Sequence, residues 1–462
     1  MTGTEYFAPR AWLSGEIGLV TDVTITVTNG RITGVVADST PSPAAIRLPG
    51  LVIPGLVNAH SHVFHRALRG RTHIGRGDFW SWRDRMYTVV GRLDVERYRA
   101  LATATYAEMA LAGITTVVEF HYLRRLPGAV GTQEPSMVDM ALIDAAAAAG
   151  IRLVLLDTCY LTADVDGSDL APEQHNFTDG DITGFLTRMD RLREALPGSA
   201  GDPTTAPHDP VAPVRLGTAV HSVRGCPPEA MRRIAEWARE HRLPLHIHLS
   251  EQVRENERCL AVHGVTPTRL CADTGLLGPL TTAVHATHLT AEDIDLLGGT
   301  GTIIGMCPTT ERDLADGVGP AAALAAAGSP LSLGSDSHAV IDLFEEARAV
   351  ELDERLATQR RGHHTAARLL TAATAGGAAG AGLAGLAGEI RPGASADLVA
   401  VNTDSVRLAG AADPVAATVF AATTADVTHV VSAGRLIVSD GVHHTVGDVG
   451  AALTSAITPL FG

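Results

Sequence analysis

Hydrophobic and polar positions follow two rhythms along the chain. From about residue 11 to 50 they alternate singly, with turn residues between. Val23-Thr24-Ile25-Thr26-Val27, then Asn29-Gly30, then Arg31-Ile32-Thr33-Gly34-Val35-Val36 is the pattern of a β-hairpin with a tight turn. Alternation returns in the tail, at residues 396–401 and 427–438. The two ends are therefore expected to form one small β domain, their strands being halves of one sheet.

Between the ends the rhythm changes. Short apolar runs begin at Leu56, Ile114, Ile151, Val214, Leu243, Thr281, Gly301 and Pro330. Alanine-rich amphipathic segments, such as 98–112, 228–241 and 339–359, separate them. That makes about eight β/α units, the count of a (β/α)8 TIM barrel. The expected fold is α/β: a barrel over residues 56–380, beside a small β-sandwich domain built from residues 1–55 and 381–462. Residues 372–388, rich in alanine and glycine, read as a helix and turn leading out of the barrel. Residues 197–213, rich in Pro, Gly, Ala and Thr, read as a mobile surface loop with His208 solvated.

Polar residues gather where the apolar runs stop. The run from Leu51 to Val57 reads as one buried strand that ends on His60 and His62. Residues two apart on a strand point to the same side, so both imidazoles enter one space. His121, His221, His248, His285 and Asp336 stand at the ends of later strands. In a barrel of this kind the active site sits at that face. His60, His62, His248 and Asp336 together offer three neutral imidazoles and a carboxylate, a donor set for one divalent ion with a place left for water. Such an ion brings the pKa of its water from ~15.7 toward roughly 7, which supplies a hydroxide for attack at neutral pH. Asp336 can bind the ion with one oxygen and take the water's proton with the other. His285 is the second partner for that water, and Glu251 is close enough to pass a proton to a leaving nitrogen.

Not every histidine belongs to this set. His246 shares a strand face with His248 but reads as a core residue one layer deeper. His288 reads as structural. His121 and His221 are open between core, support and substrate contact, with a substrate role favoured for His221.

Composition narrows the chemistry. A net charge of -15 argues against nucleic acid and anionic membranes as partners. No lysine occurs; all 36 Lys and Arg residues are arginine. Lysine Schiff bases, a Walker-type ATP site and a carboxylated lysine bridging two metals are thereby excluded. The five scattered cysteines form no CxxC pair and suit a reduced, cytoplasmic setting. No apolar run is long enough to span a bilayer, and the first nine residues lack the pattern of a signal peptide.

The segments around His60-Ser61-His62, His248-Leu249-Ser250-Glu251, His285-Ala286-Thr287-His288 and Ser335-Asp336-Ser337-His338 stand in the order of the amidohydrolase superfamily, which the chain resembles in its mononuclear deaminase branch. Within that branch it resembles the formimidoylglutamate deiminases of histidine degradation. The stretches that carry this are 64–70, Phe79-Trp80-Ser81-Trp82-Arg83, Glu119-Phe120-His121-Tyr122, His221-Ser222-Val223-Arg224 and Cys307-Pro308-Thr309-Thr310-Glu311. The resemblance implies one zinc per chain, with iron or manganese not set aside, and a homodimer. It implies N-formimidoyl-L-glutamate as a small anionic substrate, hydrolysed to N-formyl-L-glutamate and ammonia. Arg83, Tyr122, His221 and Arg224 would hold its glutamate part; arginine's planar fork suits the two carboxylates. His65 falls where that family often has a glutamine near the substrate. Two rival readings are a related deaminase acting on a purine or pyrimidine base or nucleoside, and a non-catalytic scaffold. The second would be expected to lack a ligand, and none is missing.

Overall fold

The computed structural model describes residues 3–72, 79–129, 135–196, 209 and 211–461. Its centre is a ring of parallel strands, Leu56–Ser61, Ile114–His121, Arg152–Cys159, Val214–Val220, Leu245–Leu249, Thr281–His285, Ile303–Met306 and Leu331–Leu333. They pair in sequence order, and an isolated parallel bridge from Ser61 to Asp336 closes the last on the first. These strands are buried almost throughout, which is why they read as apolar runs rather than alternating ones. The fifth and seventh begin two residues later than the apolar runs that announce them.

Helices cover the outside. Helix Val95–Leu111 starts on Asp94, whose side chain accepts the Arg97 N–H at 2.8 Å. Helix Met137–Ala149 starts on a reciprocal cap between Ser136 and Asp139 and stops at Gly150, where φ is 75°. Helix Pro228–His241 has the bounds its pattern predicts. The alanine-rich exit is a helix from Ala366 that passes through a wide turn, Ala372–Gly376, into Gly377–Gly380.

Both chain ends join one mixed sheet. Leu19–Thr28 and Arg31–Val36 form the opening hairpin, turning on Asn29 and Gly30 with φ of 51° and 77°. Leu398–Val401, Val427–Ser432 and Arg435–Ser439 continue the sheet from the other end. A strand from Thr4 to Trp12 lies between the halves; Pro9, which has no N–H to give, interrupts its pattern in the sequence.

One expectation needs correcting. Leu51 to Val57 is not a single strand. Leu51–Pro54 belongs to the mixed sheet, antiparallel to Leu398–Val401, and Leu56–Ser61 opens the barrel. The chain changes sheets at Gly55. A Cβ there would lie 2.1 Å from Thr115 Oγ1 and 2.8 Å from Asp397 Cβ, so no larger residue fits. Arg152 fastens the same junction, donating to Thr116 Oγ1 at 2.7 Å, Ser395 Oγ at 2.8 Å and Asp397 Oδ2 at 3.0 Å. The expected loop over 197–213, with His208, falls largely outside the described residues. Among the described residues no helix is long and apolar enough to cross a membrane.

Candidate active site

His60 lies near the end of the first barrel strand and His62 just past it, His248 lies near the end of the fifth, and Asp336 follows the eighth. Their donor atoms converge. His248 Nε2 is 3.1 Å from His60 Nε2 and 3.3 Å from His62 Nε2. Asp336 Oδ1 is 3.4 Å from each of those two nitrogens. Donors held ~2.0–2.2 Å from a tetrahedral ion lie roughly 3.4 Å apart, so the spacing fits such an ion. The ring orientations fit as well. His62 Nδ1 donates to the Phe120 carbonyl at 3.0 Å, and His248 Nδ1 donates to the His221 carbonyl at 2.9 Å. Each Nε2 is left with its lone pair facing inward, as a ligand requires. Burial keeps the rings neutral: it pulls His62 down to about 3, helped by His60, and takes His248 well below its ordinary value. Burial would raise the Asp336 carboxyl, but His60, His62 and His285 outweigh it and hold it ionised well below the usual range.

The backbone is bent to bring these groups together. Ser250, His285, Ala286, Asp336 and His338 all have positive φ, between 43° and 69°. Such conformations are costly for residues with a Cβ and persist where the surroundings over-determine them. Gly334 permits the closest approach: a Cβ there would lie 2.6 Å from His60 Cβ.

Beside the four donors lie His285 and Glu251. His285 Nε2 is 3.7 Å from Asp336 Oδ2 and 4.0 Å from Glu251 Oε1. Its Nδ1 faces Glu311 Oε1 at 3.3 Å. Burial would lower His285, but the Glu311 hydrogen bond and the Glu251 and Asp336 carboxylates push it up to about 10. Burial raises the Glu251 carboxyl, and the charges of His285 and Arg224 pull it part of the way back.

A cleft opens over this centre. It is lined by His65, Arg83, Tyr122, His221 and Arg224, all five residues assigned to the substrate from sequence, together with Glu251, His285 and Asp336. His65 Nε2 is 3.1 Å from the Tyr122 hydroxyl. Arg224 donates from Nε to Glu255 Oε2 at 2.7 Å and from Nη2 to Glu251 Oε2 at 3.4 Å. His121 stands elsewhere. Phe120 turns inward, with its ring 4.4 Å from that of His248, so His121 turns outward. There its Nε2 meets Asp139 Oδ1 at 3.1 Å, beneath a helix. His246 is the core residue expected, donating to the Gly380 carbonyl at 2.8 Å. His288 does not line the cleft.

Several neighbours of the site carried no role in the sequence reading. Glu119 accepts the Val63 N–H at 2.6 Å and pairs with Ser61 Oγ at 2.6 Å, bracing the loop after His62; burial pushes its carboxyl up to about 8. A lone carboxylate inside an otherwise apolar strand was the available signal. Glu255 anchors Arg224 and accepts the Ser250 N–H at 2.8 Å. Tyr87, on helix Phe79–Val90 like Trp82, and Tyr160 and Phe177, outside helices and strands, join Trp82 in making aromatic walls.

An eight-stranded barrel with three histidines and an aspartate converging at its C-terminal face defines a class, the α/β-barrel proteins with a donor group there able to hold a divalent ion. More narrowly, the chain belongs to the amidohydrolase family, whose model matches residues 51–437. A formimidoylglutamate deiminase of Pseudomonas aeruginosa is 32% identical over 425 residues, 89% of this chain and 90% of that one. An 8-oxoguanine deaminase of the same organism is 31% identical over 393 residues, 84% and 82% of the two chains. The crystal structure of an amidohydrolase from Brucella melitensis superposes with a TM-score of 0.88 at 29% identity, covering 99% of this chain and 100% of that one. The protein is thus an amidohydrolase with deaminases among its relatives.

Proposed function

We propose that the protein is a hydrolytic deiminase that converts N-formimidoyl-L-glutamate and water to N-formyl-L-glutamate and ammonia, with zinc held by His60, His62, His248 and Asp336. One observation carries this reading: two guanidinium groups, Arg83 and Arg224, line the same cleft as the four donors, in a chain of net charge -15. A dicarboxylate substrate would bring one carboxylate to each guanidinium, whose planar fork suits it. The formimidoylglutamate deiminase among the relatives supports the same choice.

A divalent ion at the four donors supplies Lewis acidity and acidifies the attacking water. The remaining work belongs to side chains. Asp336 Oδ1 faces His60 and His62, which leaves Oδ2, beside His285, to accept the proton of the water. His285 orients that water toward the formimidoyl carbon and stabilises negative charge as it develops. Glu251, kept above the usual carboxylate range by burial, donates a proton to the nitrogen that leaves as ammonia. Arg83 and Arg224 hold the carboxylates, with Tyr122, His221 and His65 closing around the glutamate chain.

A specific observation favours a second reading. Trp82, Tyr87, Tyr122, Tyr160 and Phe177 surround the cleft, walls suited to stacking a purine or pyrimidine. The decisive experiment is ammonia release by metal-analysed protein from N-formimidoyl-L-glutamate, with 8-oxoguanine, guanine, cytosine and adenosine in parallel. Turnover of the glutamate derivative alone is expected. Turnover of a base alone would replace the substrate and keep the site.

A further inference from the structure

The segment Cys307-Pro308-Thr309-Thr310-Glu311 contributes nothing to the cleft wall among the described residues. It nevertheless touches His285 and Ser337, the residue that follows Asp336. We propose that Glu311 is a positioning residue: it fixes which ring nitrogen of His285 faces the cleft, and with Thr310 it sets His285 and Asp336 relative to one another. This rests on the deaminase reading of the site, and it concerns how that site is held.

The seventh barrel strand ends at Met306, and helix Pro308–Leu314 begins at once, with Glu311 in its first turn. The Glu311 side chain is buried, 4% exposed, and folds back over the helix start. Its Oε1 accepts the Cys307 N–H at 2.9 Å, which fixes the carboxylate. The same oxygen faces His285 Nδ1 at 3.3 Å. A carboxylate so placed accepts from Nδ1–H, leaving Nε2 as the nitrogen that looks toward Asp336 Oδ2 at 3.7 Å and Glu251 Oε1 at 4.0 Å. The backbone of His285, at φ 69°, is in the left-handed region, so contacts outside its own strand must hold the ring in place.

The preceding residue reaches the other group. Thr310 Oγ1 accepts the Ser337 N–H at 3.1 Å and lies 3.1 Å from Ser337 Oγ, one residue beyond Asp336 at φ 43°. Thr309 secures the segment from behind: its N–H donates to Glu346 Oε2 at 2.9 Å, on helix Leu343–Thr358. One short turn is therefore bolted to a helix and, by adjacent side chains, holds His285 directly and Asp336 through the backbone of Ser337.

The bland reading is that Glu311 only satisfies a buried N–H. Three variants separate the two. Glu311→Ala removes both contacts. Glu311→Gln keeps an oxygen that can accept from Cys307 and His285, and Glu311→Asp withdraws it. Turnover, KM and metal content are measured on whichever substrate the wild-type protein hydrolyses in the panel above. We expect kcat of Glu311→Ala to fall about 10- to 100-fold, with KM and metal content unchanged, the range for residues behind a catalytic group. Glu311→Gln should recover most of the loss, and Glu311→Asp should not. Equal kcat per metal-loaded molecule in Glu311→Ala and wild type would overturn the proposal. So would parallel loss of metal, KM and kcat in all three variants. A second readout needs no substrate. Nitrogen-15 NMR of histidine-labelled protein, with His285 assigned through His285→Gln, should show an Nδ1–H that exchanges slowly with water in the wild type, held by Glu311, and fast in Glu311→Ala. An unchanged exchange rate would also overturn the proposal. A wild type inactive on N-formimidoyl-L-glutamate would sink the substrate reading and leave both tests of Glu311 standing.

Discussion

The floor and the wall of the cleft are built differently. On the floor, His60, His248 and His285 are residues of barrel strands, His62 follows the end of the first, and Asp336 closes the ring by pairing with Ser61. All are buried, and backbone carbonyls fix two of the imidazoles. On the wall, Trp82 and Arg83 come from helix Phe79–Val90, His221 and Arg224 from the turn after the fourth strand, and Phe177 from the loop after the third. The floor is a property of the barrel, and the wall is a property of its connections. A family that keeps one floor and varies its wall can hold one chemistry and change substrates, which agrees with a formimidoylglutamate deiminase and an 8-oxoguanine deaminase both lying near 30% identity to this chain.

The strongest test of this division is to break the floor. His60→Ala removes a donor from a site where all the others are spaced for four. Metal content should fall from about one per chain toward zero and turnover with it, while the substrate panel keeps its order of preference in whatever activity remains. Full metal content in His60→Ala, by elemental analysis of dialysed protein, would remove His60 from the donor set. Glu251→Gln probes the seam between floor and wall. It should retain metal and lose about 10²- to 10⁴-fold in kcat, the usual range for a proton-transferring side chain. Near-normal turnover would leave the leaving nitrogen to another donor.

The same division explains what could be read from the sequence. Strands buried on both faces write themselves as apolar runs, and polar residues stand out at their ends; the convergence of His60, His62, His248, His285 and Asp336 was legible that way. His121 was legible in principle, since period two puts Phe120 and Tyr122 on one face and His121 on the other. The change of sheet at Gly55 was not, because the apolar run carries straight across it and only the nearness of Thr115 and Asp397 demands the glycine. Nor was the role of Glu311, which depends on a contact between residues 26 positions apart in different β/α units. The wall was reached through family resemblance alone: nothing in the pattern around Arg83 or Arg224 says that their side chains meet in one cleft.

Arg224→Met tests whether floor and wall act separately. Removing one charge-assisted contact to a carboxylate costs about 1.5–3 kcal/mol, roughly 10- to 150-fold in kcat/KM for the glutamate derivative. A neutral base turned over by the same site would lose little. Arg224 also lies beside Glu251 and lowers its pKa. Without that cation the Glu251 carboxyl holds its proton to higher pH. Because Glu251 must carry a proton to donate it, turnover falls as pH rises through its pKa, and in Arg224→Met that fall should move to higher pH. A pH profile unmoved by the substitution would mean that the wall binds without tuning the floor.

The smallest effect is expected at His65, in the wall beside Tyr122. The ring lies 4.9 Å from that of Trp82 and 4.7 Å from that of His62, and Nε2 meets the Tyr122 hydroxyl. Nδ1 is buried with no hydrogen-bond partner among the described residues. Burial holds the ring well below its ordinary pKa, so it stands in the wall as a neutral group with one donor and one acceptor. A glutamine amide offers both functions from a side chain of similar reach. His65→Gln should therefore keep the Tyr122 contact, leave metal content unchanged and alter KM by less than about tenfold, the cost of about one neutral hydrogen bond. If kcat falls instead while KM holds, His65 acts on the reacting centre through its neighbour His62, and the boundary between floor and wall lies one residue further out than drawn here.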